Sequence, residues 1–193
     1  MREPATRSLD QSLVNWREQR IVERLLLENG MAGKSLLDVP CGYGRFWRTF
    51  GGLDIRMVGI DLDPEMVRKA AAGPDRNGHS HPVRGNVFTL PFPAMSFDVV
   101  TCIRLLHLQF SDADRVRILR ELARVSRRFV IISIYQPTPL HLLLRRFNGT
   151  PGRLRFTTSE QLSGLVARSG LRLEGRRPLQ RGLHMQTFVA LTK

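Results

Sequence analysis

Two cysteines in 193 residues exclude a disulfide-stapled secreted framework, and no apolar run approaches the roughly 18 residues that a membrane-spanning helix needs. The stretch from Met1 to Arg20 carries Arg and Glu where a secretory signal would be hydrophobic, so the expected location is the cytoplasm. Lysine is scarce as well: only Lys34, Lys69 and Lys193 are lysines among 30 basic residues. The net charge of +13 is therefore almost wholly guanidinium, whose planar forks suit phosphates and carboxylates. From Pro137 onward, nine arginines and Lys193 face only Glu160 and Glu174, which gathers the positive charge in the last third of the chain. That distribution fits an anionic acceptor, an anionic membrane surface or nucleic acid, and equally an arginine-rich coding bias. Internal repeats and low-complexity tracts are lacking, and the length is that of one enzyme-sized domain with a substantial core.

Against these absences stands one dense stretch. Ser35 to Arg45 reads as a short apolar strand, an acidic residue at its end, and a turn carrying Gly42 and Gly44. Glycines let a backbone pass close to a ligand, and a strand running into such a turn is where open α/β sheets bind nucleotides. Met57 to Asp61 follows as a second strand ending in a carboxylate, about 20 residues on, the spacing at which such folds hold a ribose by its hydroxyls. A nicotinamide-type fingerprint needs a third glycine, and Trp47 occupies that position.

The ordered series Asp38-Val39-Pro40-Cys41-Gly42-Tyr43-Gly44, Asp61, Gly85-Asn86-Val87, Leu90-Pro91-Phe92 and Ser96-Phe97-Asp98-Val99-Val100 resembles the Rossmann-like (class I) S-adenosylmethionine-dependent methyltransferase family, over residues 35 to about 135. Two positions depart from the family pattern: Pro40 replaces its first glycine, and Asn86 stands where Asp is usual. The resemblance implies that Asp38 orients the methionyl amino end, that the Gly42–Gly44 turn lies against that moiety, and that Asp61 takes the ribose. Asn86 and the backbone at Val87 would take adenine, with Pro40, Leu62 and Ile103 completing the cofactor-binding set. No metal is expected.

The alternation of apolar segments predicts an α/β fold: a single doubly wound, mostly parallel sheet with helices on both faces. Strands are expected near Ser35–Val39, Met57–Asp61, His81–Val87, Phe97–Ile103, Phe129–Ile134, Leu171–Glu174 and Thr187–Thr192. Helices are expected over Leu13–Leu27, after an Asp63 cap with Pro64 in the first turn, over Ser111–Ser126 and over Ser159–Ser169. The whole chain is read as one methyltransferase domain, 1–193, with a helical extension over 1–30 and a substrate-covering insertion over 137–156. That insertion combines Leu140, Leu142, Leu143, Leu144 and Phe147 with Arg145 and Arg146, the composition of a lid or an interfacial helix.

Acceptor chemistry is sparser. His107, after the fourth strand, is the candidate general base, with packing within a Leu-His segment as its alternative. Tyr135 reads as the cap of a core strand, and Arg17 and Arg20 as a solvated surface or as partners of the cofactor carboxylate. Cys41 and Cys102 read as small hydrophobes lining one site. The sequence thus points to an S-adenosylmethionine-dependent methyltransferase with a small or lipid-linked, anionic acceptor, methylated at oxygen. A nucleic-acid (RNA) methyltransferase is the first alternative, although the Asn/Asp-Pro-Pro-aromatic motif is missing after the fourth strand. A noncatalytic cofactor-binding regulator or scaffold is the second.

Overall fold

The computed structural model describes residues 5–73, 80–138, 155–180 and 184–193, with side chains from residue 11. Its frame is one seven-stranded sheet in the order β3-β2-β1-β4-β5-β7-β6. The strands are β1 (Ser35–Asp38), β2 (Arg56–Asp61), β3 (Ser80–Arg84), β4 (Phe97–Cys102), β5 (Ser126–Tyr135), β6 (Arg172–Pro178) and β7 (Gln186–Thr192). All neighbours pair in parallel except β7, which runs antiparallel to both β5 and β6. The order reverses between β1 and β4, and this topological switch leaves a crevice at their carboxyl ends.

Period-two alternation sends successive side chains to opposite faces, and both faces are apolar. Leu36, Met57, Val99, Phe129 and Ile131 pack with Val22, Leu25 and Leu26 of α1 (Ala5–Glu28) and with Trp47 and Phe50 of α2 (Trp47–Gly52). Leu37, Val100, Val130 and Ile132 pack against Ile118, Leu119 and Leu122 of α4 (Asp112–Val125), and Leu162 and Leu165 of α5 (Ser159–Arg168) join them. The doubly wound reading is borne out. Among the described residues no helix is long and apolar enough to cross a membrane.

Local chemistry starts the helices where the sequence says it should. Asp63 caps α3 (Pro64–Ala71) by accepting from the Glu65 N–H at 2.8 Å, with Pro64 in the first turn. Ser111 and Asp114 form a reciprocal capping box on α4, and α5 ends just before Gly170, which sits at φ +76°. Several boundaries differ from expectation: α1 begins at Ala5 rather than Leu13, and β5 at Ser126 rather than Phe129. β3 stops at Arg84 rather than Val87, because the Asn86 side chain accepts from the Phe88 N–H and turns the chain. β6 runs on to Pro178, which an edge strand tolerates since it needs no donor on its open side. The short helix α2 has no counterpart among the expected elements. The proposed covering segment 137–156 falls mainly on 139–154, outside the described residues.

Candidate active site

At the switch point the chain leaves β1 through Val39 and Pro40, joined by a cis bond, and turns through Gly42 and Gly44 at φ +56° and +79°. Only glycine holds such angles without strain, and at Gly42 an added Cβ would meet open space above the turn. The Asp61 carboxylate, at the end of β2, accepts from the Gly42 N–H at 2.9 Å and from the Asp63 N–H at 3.0 Å. One side chain thus ties the glycine turn to the start of α3. A cavity of about 360 Å³ opens here, lined by Pro40, Gly42, Asp61 and Ile103 and, from outside the predicted set, by Met66, Arg45 and Arg104.

Beneath the turn, Asp38 is almost wholly buried. Its Oδ1 accepts from the Thr101 hydroxyl at 2.7 Å, whereas Oδ2 makes no well-formed hydrogen bond, although the buried Trp47 Nε1–H is near enough to pull the carboxyl's pKa slightly down. Burial pushes the Asp38 pKa up to about 7, against the opposing pull of the Thr101 hydrogen bond and the Arg45 charge. Cys41 borders the cavity and Cys102 lies in the core, so the two thiols do not line one site. Burial holds both protonated, with Cys41 pushed up to about 12. Leu62 is exposed at the end of β2, Val87 packs partly into the core, and Asn86 is exposed in its turn. These three lie outside the lining of the cavity.

The charges at the mouth come from residues that the sequence reading passed over. Glu18 of α1 is fully buried and accepts from both Arg45, directly after the glycine turn, and Arg104, just past β4, the latter at 2.9 Å. Asn15 accepts from Arg45 at 2.8 Å. Arg104 adopts φ +60° and its N–H donates to the Ser133 hydroxyl at 2.8 Å, so its backbone is fixed as firmly as its side chain. Arg17 and Arg20 are solvated, bonding Gln180 and Glu23 respectively.

His107 lies farther along the loop after β4, buried and stacked on Tyr135 with ring centroids 4.4 Å apart. Its Nδ1 has no partner. Burial, with the nearby Arg104 and Arg115 charges, lowers its pKa and keeps the ring neutral. The loop is held from below: the buried Arg115 guanidinium donates twice to the Leu106 carbonyl, at 3.0 and 2.7 Å, and once to the Thr157 hydroxyl. Arg155 donates from its N–H to the His107 carbonyl at 2.8 Å and from its side chain to the Phe110 carbonyl at 2.6 Å.

Residues 36–128 match the family model of a methyltransferase domain. Over that stretch, just under half of the chain, the sequence is similar to a methyltransferase domain, and the sheet that carries it has the Rossmann-like order of the class I methyltransferase fold. Among curated relatives it is 31% identical over 121 residues to a tRNA U34 carboxymethyltransferase from Shewanella denitrificans, covering 61% of this chain and 36% of that protein. It is 29% identical over 119 residues to the mitochondrial ubiquinone biosynthesis O-methyltransferase of Schizosaccharomyces pombe, covering 60% of this chain and 43% of that one. The chain thus spans well under half the length of these two relatives. The fold superposes on a magnesium protoporphyrin IX methyltransferase from Synechocystis PCC 6803 with bound S-adenosylmethionine, at a TM-score of 0.77 and 12% identity, over 100% of this chain and 86% of the other.

The residues present suit the family's cofactor. The open space above Gly42, the buried Asp38 carboxyl beneath the turn and the Asp61 carboxylate at the cavity wall are three features that a nucleoside with an amino-acid tail would use.

Proposed function

We propose that this chain is an S-adenosylmethionine-dependent methyltransferase acting at oxygen on a small or lipid-linked anionic acceptor. One observation carries the reading: an open glycine turn bridged to the Asp61 carboxylate at the topological switch point of the sheet. The cofactor supplies a methyl group already activated by its sulfonium. The chain's own task is to hold two molecules in line and dry, and such positioning contributes about 7–11 kcal/mol to barrier lowering. Asp61 would hold the ribose hydroxyls, the Gly42–Gly44 backbone and Asp38 the methionyl end, and Asn86 with Val87 the adenine.

On the acceptor side, His107 takes the hydroxyl proton. Its ring is neutral because burial and two nearby guanidiniums oppose the imidazolium, and its plane is set by the Tyr135 stack. Arg104 and Arg45, aimed by Glu18, give the mouth a positive side that favours an acceptor bearing carboxylate or phosphate. The O-methyltransferase of ubiquinone biosynthesis among the relatives supports oxygen as the accepting atom. An RNA acceptor is the second reading, supported by the tRNA-modifying relative and by the net charge of +13. Labelled methyl incorporation into RNA rather than into lipid or small-acid extracts decides between the two.

Titration calorimetry with S-adenosylhomocysteine tests the cofactor site directly. Wild-type protein should bind, and Asp61→Ala should weaken binding by roughly 2–4 kcal/mol, since charge-assisted bonds are lost and ligand hydroxyls left unpaired. Absence of binding at millimolar ligand overturns the enzyme reading and leaves a scaffold.

A further inference from the structure

The outward face of α1 carries a pattern that the cofactor site does not use. Leu13, Trp16, Arg20, Arg24 and Leu27 recur at helical spacing on one stripe, opposite the stripe of Asn15, Glu18, Val22 and Leu25 that faces the sheet. All five are exposed, the apolar ones strongly: Leu13 at 58%, Trp16 at 59% and Leu27 at 52%. Arg17 lies beside them. Next to the helix, Arg176 and Arg177 at the end of edge strand β6 border a cavity of about 690 Å³ shared with Arg20, Arg24 and Leu27. Glu23 and Glu28 pair with some of these groups at the rim, but five arginines face two glutamates, so the surface is positive.

An exposed tryptophan set among leucines and arginines is the composition of a helix lying in a bilayer interface. The indole suits the boundary between headgroup and acyl chain, the leucines supply apolar burial, and the guanidiniums meet lipid phosphates. We propose that the outward face of α1, with the adjoining end of β6, is a docking surface for an anionic phospholipid membrane. Single-stranded nucleic acid fits less well, because two of the three apolar groups are aliphatic and offer no stacking platform. A second copy of this chain would meet like charge with like. The inner stripe of the same helix carries Gln11 and Asn15 into the lining of the candidate cofactor cavity, so the bilayer would lie about one helix diameter, ~10–12 Å, from the site. The docking surface itself does not depend on the methyl-transfer reading.

The test uses the full chain with vesicles of phosphatidylcholine mixed with phosphatidylglycerol, vesicles of phosphatidylcholine alone, and a single-stranded oligonucleotide. The chain has two tryptophans and Trp47 is buried, so a blue shift of emission on binding reports Trp16. Cosedimentation with the anionic vesicles, weakened by salt and accompanied by that shift, is expected. Leu13→Ala with Trp16→Ala, and separately Arg20→Gln with Arg24→Gln, should each weaken vesicle binding roughly tenfold or more while S-adenosylhomocysteine affinity and the circular dichroism spectrum stay unchanged. The proposal is overturned by no vesicle binding at low salt, by equal binding to neutral vesicles, by binding that survives both pairs of substitutions, or by a Trp16 response to oligonucleotide alone.

Discussion

Asp38 shows how much one buried carboxyl can impose. One oxygen is paired with Thr101, the other makes no well-formed hydrogen bond, and burial raises its pKa to about 7. Between the ordinary carboxylate range and that value the folded state holds a proton that the unfolded chain has released. Ionisation therefore costs stability as pH rises from about 4 to about 7. His107 and His184, both lowered mainly by burial, act with the opposite sign below about pH 6.5, so the comparison must be with Asp38→Asn rather than with a flat line. Thermal unfolding across that range should show the variant gaining on wild type as pH rises. The ammonium at the methionyl end of the cofactor favours the ionised form, so affinity for S-adenosylhomocysteine should climb through the same window in wild type and not in the variant. Identical profiles for both proteins would show that the carboxyl titrates normally.

At the scale of elements, β2 and α2 are fitted together at Gly59. An added Cβ there would stand 2.6 Å from Trp47 Cζ2 and 2.9 Å from Cys41 Sγ, both in buried side chains that cannot swing away. Gly59→Ala should therefore cost about 1–3 kcal/mol by overpacking, a fall in Tm of roughly 3–10 °C. An unchanged Tm would mean that the indole has room to retreat. Nothing in Met57-Val58-Gly59-Ile60-Asp61 announces this constraint, because the contact is made by a helix that the sequence reading did not anticipate. α2 has six residues and ends in Gly51-Gly52, too short for a helical period to register and too glycine-rich for propensity to favour it. α3 and α4 were legible for the converse reason: Asp63-Pro64 and Ser111 with Asp114 are start signals written within a few residues. The end of β3 was legible too, in Gly85-Asn86, but the apolar Val87 masked it.

Across the whole molecule, the candidate site divides into a part that is local in sequence and a part that only folding assembles. Gly42 follows β1 and Asp61 ends β2, so both were identifiable from adjacent residues, as Ile103 was from the family resemblance. Glu18, Arg45 and Arg104 were not, since Glu18 meets partners 27 and 86 residues away. The available signal was an acid on the apolar stripe of an arginine-rich helix, four residues before Val22. Through Glu18, α1 is fastened at once to the glycine turn and to the end of β4, so the helix and the cofactor cavity should be energetically linked. Removing the carboxylate leaves two partly buried guanidiniums beside each other without their shared partner, and Glu18→Ala should cost about 2–4 kcal/mol of stability. The same substitution frees Arg45 and Arg104 at the cavity mouth, so S-adenosylhomocysteine should bind the variant at least tenfold more weakly. Hydrogen exchange provides the reading that separates coupling from simple destabilisation. In wild type, ligand binding should slow exchange along Asn15–Leu26 of α1 by more than it slows α5, on the far face of the sheet, whereas in Glu18→Ala the two helices should respond alike. A uniform response in wild type would show that α1 rides on the sheet without sensing the site.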